Sequence, residues 1–202
     1  MARLLRYYAH PGHRMSHANK AMHQRARGVE GITQVDLYED YPRFDINVER
    51  EQQRLVEHDV ILFQFPIFWY STPSILKEWQ DLVLEHGFAY GDAGEALAGK
   101  KMMLAVTAAG PEEAYQKDGY QHHELRTFLT PLEQTAHLCG MEFVPPYVLF
   151  GSLRAPAEGR LPDHVEGFAA LLEALRDDRF DFKAAAKHKV LGSETLPVKE
   201  KV

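Results

Sequence analysis

Two seven-residue stretches, DVILFQF at 59–65 and KMMLAVT at 101–107, constrain the fold more than anything else in the chain. Each is apolar almost without a break. A strand with one wet face alternates apolar and polar residues, so runs like these belong to strands covered on both sides, the condition of a parallel sheet flanked by helices. A bilayer-spanning helix is the other reading of an apolar run. The longest one, Val60 to Tyr70, is interrupted by Gln64 and Pro66 and falls well short of the roughly 20 residues a span needs.

The remaining pattern fits the sheet. Further strands are predicted at residues 3–9 (RLLRYYA), 32–37 and 142–150, the last confined to a sheet edge by Pro145-Pro146, which supply no ladder donor. Helices are predicted from Ser16 as N-cap to Gly28, over 49–58, from Thr72 as cap with Pro73 at the first position to Gly87, over 124–138 with a break or kink at Pro131, and over 163–176. In the third of these, Ile75, Leu76, Trp79, Leu82 and Val83 share one face. Five strands alternating with helices define an α/β fold with one five-stranded parallel sheet, order 2-1-3-4-5, and helices on both faces. One domain is expected over 1–180, with 181–202 a polar C-terminal tail that is either an arm or disordered. The net charge of −6 argues against nucleic acid as a partner. A single cysteine, Cys139, and the absence of a signal-like N-terminus suit a cytoplasmic protein.

In such sheets ligands bind beyond the carboxyl ends of the strands, near the switch point. Three loops should meet there. The first, His10 to Asn19, opens a helix, so the N–H groups of His17, Ala18 and Asn19, with the Ser16 hydroxyl beside them, form an anion site suited to a phosphate monoester. The plainer alternative is that Ser16 only caps its own helix. His10 stands where it can donate to the same phosphate. His10, His13 and His17 match no standard zinc spacing, and no metal is expected. The second loop, Pro66-Ile67-Phe68-Trp69-Tyr70-Ser71-Thr72-Pro73, sets three aromatics side by side between prolines, which is neither helical nor strand spacing. They can wall a flat ring system, or face a partner protein, where Trp and Tyr are enriched. The third, Thr107-Ala108-Ala109-Gly110, lets backbone approach a ligand closely. Tyr115 follows, and His122 and His123 are available as proton donors near neutral pH. Gly94 to Lys101 (GEALAGKK) imitates a phosphate-cradling loop but precedes a strand and lacks the hydroxyl residue, so it reads as a turn.

The segments YAHPGHRMSHANKAM, QFPIFWYSTPSILKEWQDLVLEHGFAYG and PLEQTAHLCGMEFVPPYVLFG resemble the NAD(P)H:quinone oxidoreductases of the flavodoxin-like fold, and within them the KefF-type ancillary flavoproteins of glutathione-gated potassium efflux systems. The likeness spans about residues 4 to 155. It implies FMN, with FAD as the alternative: His10 and Ser16 to Asn19 at the phosphate, Pro66 to Tyr70 along the ring, Thr107 to Gly110 at its pyrimidine edge. It also implies NAD(P)H as co-substrate, a quinone or similar acceptor, a ping-pong cycle and a homodimer with the flavin at the subunit interface. The family loop after strand 4 commonly reads TTGG and here reads TAAG. Eukaryotic-type members pair a Tyr with a His six residues later. Tyr115 matches, but the sixth position is Gln121, with His122 next to it. The second role the resemblance implies is regulatory: a redox-sensing ancillary subunit on the inner face of the membrane, bound to a potassium efflux antiporter.

Overall fold

The computed structural model describes residues 1–12, 14 and 16–199. Strands β1 (Leu4–Tyr8), β2 (Thr33–Asp36), β3 (Val60–Pro66) and β4 (Lys101–Thr107) are parallel, in the order β2-β1-β3-β4. The fifth place is shared by β5 (Glu142–Phe143) and β6 (Tyr147–Leu149), both parallel to β4. Pro145-Pro146 lie in the gap between them. A proline pair cannot donate to the ladder, so the expected edge strand is split in two. The 2-1-3-4-5 order is otherwise as the sequence predicts.

Among the described residues seven helices surround the sheet: α1 (Ala18–Arg27), α2 (Leu37–Asp40), α3 (Val48–Glu57), α4 (Ser74–Val83), α5 (Leu125–Leu138), α6 (Leu161–Arg176) and α7 (Phe182–Ala185). One core cluster joins Leu4, Leu62, Met103 and Ala105 to Met22 and Ala26 of α1 and Phe168 and Leu172 of α6. The other joins Leu5, Tyr7, Ile61, Phe63 and Leu104 to Leu55 of α3, Trp79 of α4 and Leu129 and Leu132 of α5. Alternate residues of each strand therefore enter opposite cores, which is why the runs at 60–65 and 102–106 are apolar but for Gln64.

Buried polar groups interrupt both cores, Arg6 and Gln64 on the strands and Glu51 on α3. Glu51, on a helix that reads as polar, is fully buried in the second core. Its Oε2 accepts from the Tyr7 hydroxyl (2.5 Å) and Trp79 Nε1 (3.1 Å), and its Oε1 from the Tyr41 hydroxyl (2.5 Å) and Arg54 Nη1 (2.6 Å).

Three boundaries differ from the sequence reading. Pro73, not Thr72, occupies the N-cap of α4, and the Thr72 Oγ1 is buried without a partner. That helix ends at Val83; Gly87 instead takes φ 83° in the turn beyond, a conformation open to glycine. α5 runs through Pro131 without a break. The proline forfeits one donor, but Leu129, Leu132 and Ala136 anchor the helix on either side of it. Of the two readings of the tail from residue 181, an arm or disorder, residues 181–199 take the first. Ala185 and Leu191 are buried, Leu191 bridges to Tyr147, and Val198 bridges to Phe180. Residues 200–202, the end of that predicted arm, lie outside the described residues.

α6 also buries a histidine. His164 stacks on Tyr147 at 4.3 Å, and burial, aided by nearby Arg160, pushes its pKa down to about 3. The unfolded chain then binds a proton that the folded chain refuses. Stability is full above about pH 6.5 and falls as the pH drops from there toward 3, by as much as about 4 kcal/mol. His164→Phe keeps the ring and should flatten this slope. Urea unfolding of both proteins at pH 7 and pH 4 checks it, and equal slopes would contradict it.

Candidate functional site

The carboxyl ends of β1, β3 and β4 open onto one cleft of about 260 Å³. His10, Gly12 and Ser16 to Asn19 line it from the first loop, Pro66, Ile67 and Phe68 from the second, and Thr107 and Ala109 from the third. The three loops thus meet as predicted. A fourth joins them: Ser152 and Leu153, after β6, also line the cleft. Gly151 N–H donates to the Gly110 carbonyl (2.8 Å) and Ser152 N–H to that of Ala108 (3.0 Å), which pins this loop to the third. The strand-end rule applies equally to strand five, but a Gly-Ser-Leu turn carries no chemical signal of its own.

In the first loop, His10 is nearly buried and its Nδ1 accepts from the Gly12 N–H (3.1 Å), which fixes the tautomer with the proton on Nε2. Its ring meets the edge of Phe68 at 5.7 Å. Ser16 Oγ accepts from the Asn19 N–H (3.2 Å), so one of the three amides expected to face a ligand is already satisfied. The amides of His17 and Ala18 remain at the helix end, without an acceptor among the described residues. His13 lies outside the described residues.

Asn19 has a different role from the one the sequence suggests. It is 2 % exposed, and its Nδ2 donates to Thr107 Oγ1 (2.7 Å). Its backbone carbonyl and Oδ1 accept from Gln64 Nε2 (3.2 and 3.4 Å). Gln64 Oε1 in turn accepts from Arg6 Nε (3.0 Å) and Nη2 (2.5 Å), while Arg6 Nη1 donates to Gln34 Oε1 (2.7 Å). Arg6 is fully buried, and burial lowers its pKa to about 10. This polar chain ties β1, β3, α1 and β4 together directly beneath the cleft and sets where the first turn of α1 stands relative to Thr107.

The second loop explains the adjacent aromatics. Phe68 and Ser71 exchange both backbone hydrogen bonds (3.1 and 3.0 Å), closing a two-residue hairpin with Trp69 (φ 48°) and Tyr70 (φ 64°) at its corners. Left-handed φ at both corners marks the turn type that normally takes Asn or Gly. Holding bulky residues there costs on the order of 1–3 kcal/mol each, strain of the kind found at functional sites. Of the three rings only Phe68 lines the cleft. Trp69 is 92 % exposed at the tip, and Tyr70 turns away to meet Phe128 at 4.9 Å, above a groove between α4 and α5.

In the third loop Ala108 is buried and Ala109 faces the cleft. A Cβ at Gly110 would stand 2.8 Å from the Tyr120 hydroxyl and 3.1 Å from the Tyr115 ring, so only glycine fits without displacement. Tyr115 is 6 % exposed and packs on Phe128 and Phe150. Burial raises its pKa, as do the nearby Tyr120 and Tyr70 hydroxyls. It supports the loop from behind and does not line the cleft. His122 is exposed in a turn at φ 58°, and the structure does not bring it to the cleft. Cys139 is buried, and burial raises its thiol pKa, the condition of an inert cysteine.

A 2-1-3-4-5 parallel sheet with a cleft beyond its switch point defines a doubly wound α/β ligand-binding protein. The sequence profile of the flavodoxin-like fold matches residues 2–172, and the chain belongs to that family. A Bacillus subtilis relative named uncharacterized NAD(P)H oxidoreductase YrkL is 42 % identical over 149 residues, 74 % of this chain and 86 % of its own. The glutathione-regulated potassium-efflux system ancillary protein KefG of Yersinia enterocolitica is 40 % identical over 172 residues, 85 % of this chain and 93 % of its own. General stress protein 14 of Treponema denticola, solved in complex with FMN, superposes with a TM-score of 0.79 at 35 % identity, over 86 % of this chain and 99 % of that one. An NADPH-quinone reductase from P. pentosaceus superposes at 0.73 with 27 % identity, over 84 % and 96 %. No helix among the described residues is long and apolar enough to cross a membrane.

Proposed function

We propose that this chain is a flavin-dependent NAD(P)H:quinone oxidoreductase with FMN in the cleft. One observation carries the reading: a free helix end, an apolar wall and a close-packed glycine loop border one cavity, in a chain 35 % identical to a protein solved with FMN. The amides of His17 and Ala18, with Ser16 and His10, would hold the phosphate. Ile67 and Phe68 would flank the ring, and Pro66 with Thr107 to Gly110 would border its polar edge. One helix end offers one phosphate site, which favours FMN over FAD. Bound there, FMN would supply two-electron redox chemistry, with NAD(P)H as the donor and a quinone as the acceptor of a ping-pong cycle. The chain's own part is to orient, to exclude water and to place backbone donors where charge develops. Tyr115, braced against Gly110, is better placed for this than exposed His122. Trp69 and Tyr70, turned out of the cleft, suit the subunit interface of a homodimer.

Ser16→Asp tests the phosphate assignment. Aspartate caps a helix as well as serine, so the fold should be unaffected. Its charge would oppose the phosphate, and FMN affinity should fall by about tenfold or more, as a like charge at hydrogen-bond range demands. Fluorescence titration of the apo-protein reads this, and unchanged affinity would remove that helix end from the site. Tyr115→Phe keeps the ring that packs behind Gly110 and removes only the hydroxyl. Hydride transfer should slow by about tenfold with FMN retained. Stopped-flow reduction checks it, and an unchanged rate would contradict it.

The likeness to KefG supports a second reading, an ancillary subunit bound to a potassium efflux antiporter at the cytoplasmic face of the membrane. Co-purification with such a transporter would favour it. A free dimer with fast quinone turnover would favour the enzyme.

A further inference from the structure

The turn that follows β6 is fastened to the candidate site on several sides. Besides the two backbone bonds that join it to the third loop, the Gly151 carbonyl accepts from the N–H groups of Arg154 (2.9 Å) and Ala155 (3.0 Å), which folds residues 151–155 back on themselves. Ala155 is fully buried and packs with Leu149 of β6 and with Ala18, the first residue of α1. Arg160 Nη1 donates to the Phe150 carbonyl (3.1 Å), and Glu158 holds the same guanidinium (2.6 and 2.9 Å). The turn is thus tied both to the helix end and to the third loop of the cleft.

What the turn presents from that fixed position is Leu153. Its side chain lines the cleft and is 80 % exposed. A lone exposed leucine needs no explanation. This one is not alone: Phe68, 43 % exposed, lines the same cleft from the second loop, beside Ile67. The polar side chains of His10 and Ser16 and the open helix end belong to the first loop. Two large apolar side chains therefore border one cavity from two separate loops, with surface that no part of the chain covers. Covering that surface favours an apolar ligand group, and a turn already held in place pays little ordering cost when it does so.

We propose that Leu153 is a specificity-determining residue: with Phe68 it receives an apolar substituent of the electron acceptor, so that the preferred quinone carries an alkyl or prenyl group on its ring. This assignment rests on the oxidoreductase reading and adds the class of acceptor to it. The test is a titration of the FMN-saturated, oxidised protein with a methylated benzoquinone and with the same ring carrying one prenyl group, read by the change in flavin absorbance. With no NAD(P)H present, binding is measured apart from turnover. Each methylene buried is worth about fourfold in affinity, so the prenylated ring should bind about tenfold tighter or more. Leu153→Ser should close most of that gap, and Leu153→Met, which keeps an apolar side chain of similar volume, should preserve it. A turn that merely lost its shape would weaken both quinones alike. A gap in the parent protein that serine closes and methionine keeps supports the proposal. Equal affinities of the parent protein for the two quinones, or a gap that survives Leu153→Ser, would overturn it with the flavin still bound. A parent protein that takes up no flavin would instead end the oxidoreductase reading, and this assignment with it.

Discussion

Glu51→Ala should lower the free energy of unfolding by about 3–5 kcal/mol, the cost of removing one partner from a buried charged cluster. The carboxylate is fully buried and gathers four donors, from Tyr7, Tyr41, Arg54 and Trp79. Alanine would leave the buried Tyr7 and Trp79 donors without that acceptor and leave Arg54 paired with Asp40 alone. It would also leave a void beside the stack in which Tyr7 stands 5.0 Å from Trp79 and 5.3 Å from Phe63. Trp79 belongs to α4, the helix that follows the aromatic hairpin, so the second consequence should be a looser Phe68 wall. Urea denaturation at pH 7 measures the first effect and FMN titration the second. A loss below about 1 kcal/mol would place the cluster among surface interactions of little weight.

Gln64→Leu should be of similar size, about 3–5 kcal/mol, for a related reason. Leucine matches the apolar run around it and would pass as a conservative change by sequence alone. Yet Gln64 takes two hydrogen bonds from Arg6, a cation with no exposed surface, and passes the connection to Asn19. Without it the guanidinium loses its nearest acceptor inside the protein, and α1 loses its clasp beneath the cleft. FMN affinity should therefore fall together with stability, although residue 64 does not line the cleft. Thermal unfolding and flavin titration of the same preparation check this. A stable variant with full FMN affinity would show that the buried chain does not position the site.

These two residues also show where sequence reasoning stops. The apolar runs at β3 and β4 and the alternation of strands with helices were enough to give the sheet and its order, because burial on both faces writes itself into composition. The meeting of three strand-end loops followed from that order. What composition could not disclose was pairing at a distance. Nothing within the sequence neighbourhood of Glu51 tells of Tyr7, nor anything around Asn19 of Thr107, 88 residues away. Asn19 therefore read only as a phosphate neighbour, and its clasp on Thr107 was not legible. The aromatic loop was legible as a turn, but its left-handed corners, which send Trp69 and Tyr70 out of the cleft, depend on the backbone closure between Phe68 and Ser71. The tail read as an arm or as disorder because its buried residues, Ala185 and Leu191 among them, are too sparse to show periodicity.

The most direct measurement is the visible absorbance of the purified protein titrated with FMN, then with NAD(P)H and a quinone under anaerobic conditions. The expected result is uptake of one FMN per chain, bleaching by NAD(P)H and return of colour on adding the quinone. A folded protein that takes up neither FMN nor FAD would contradict the account.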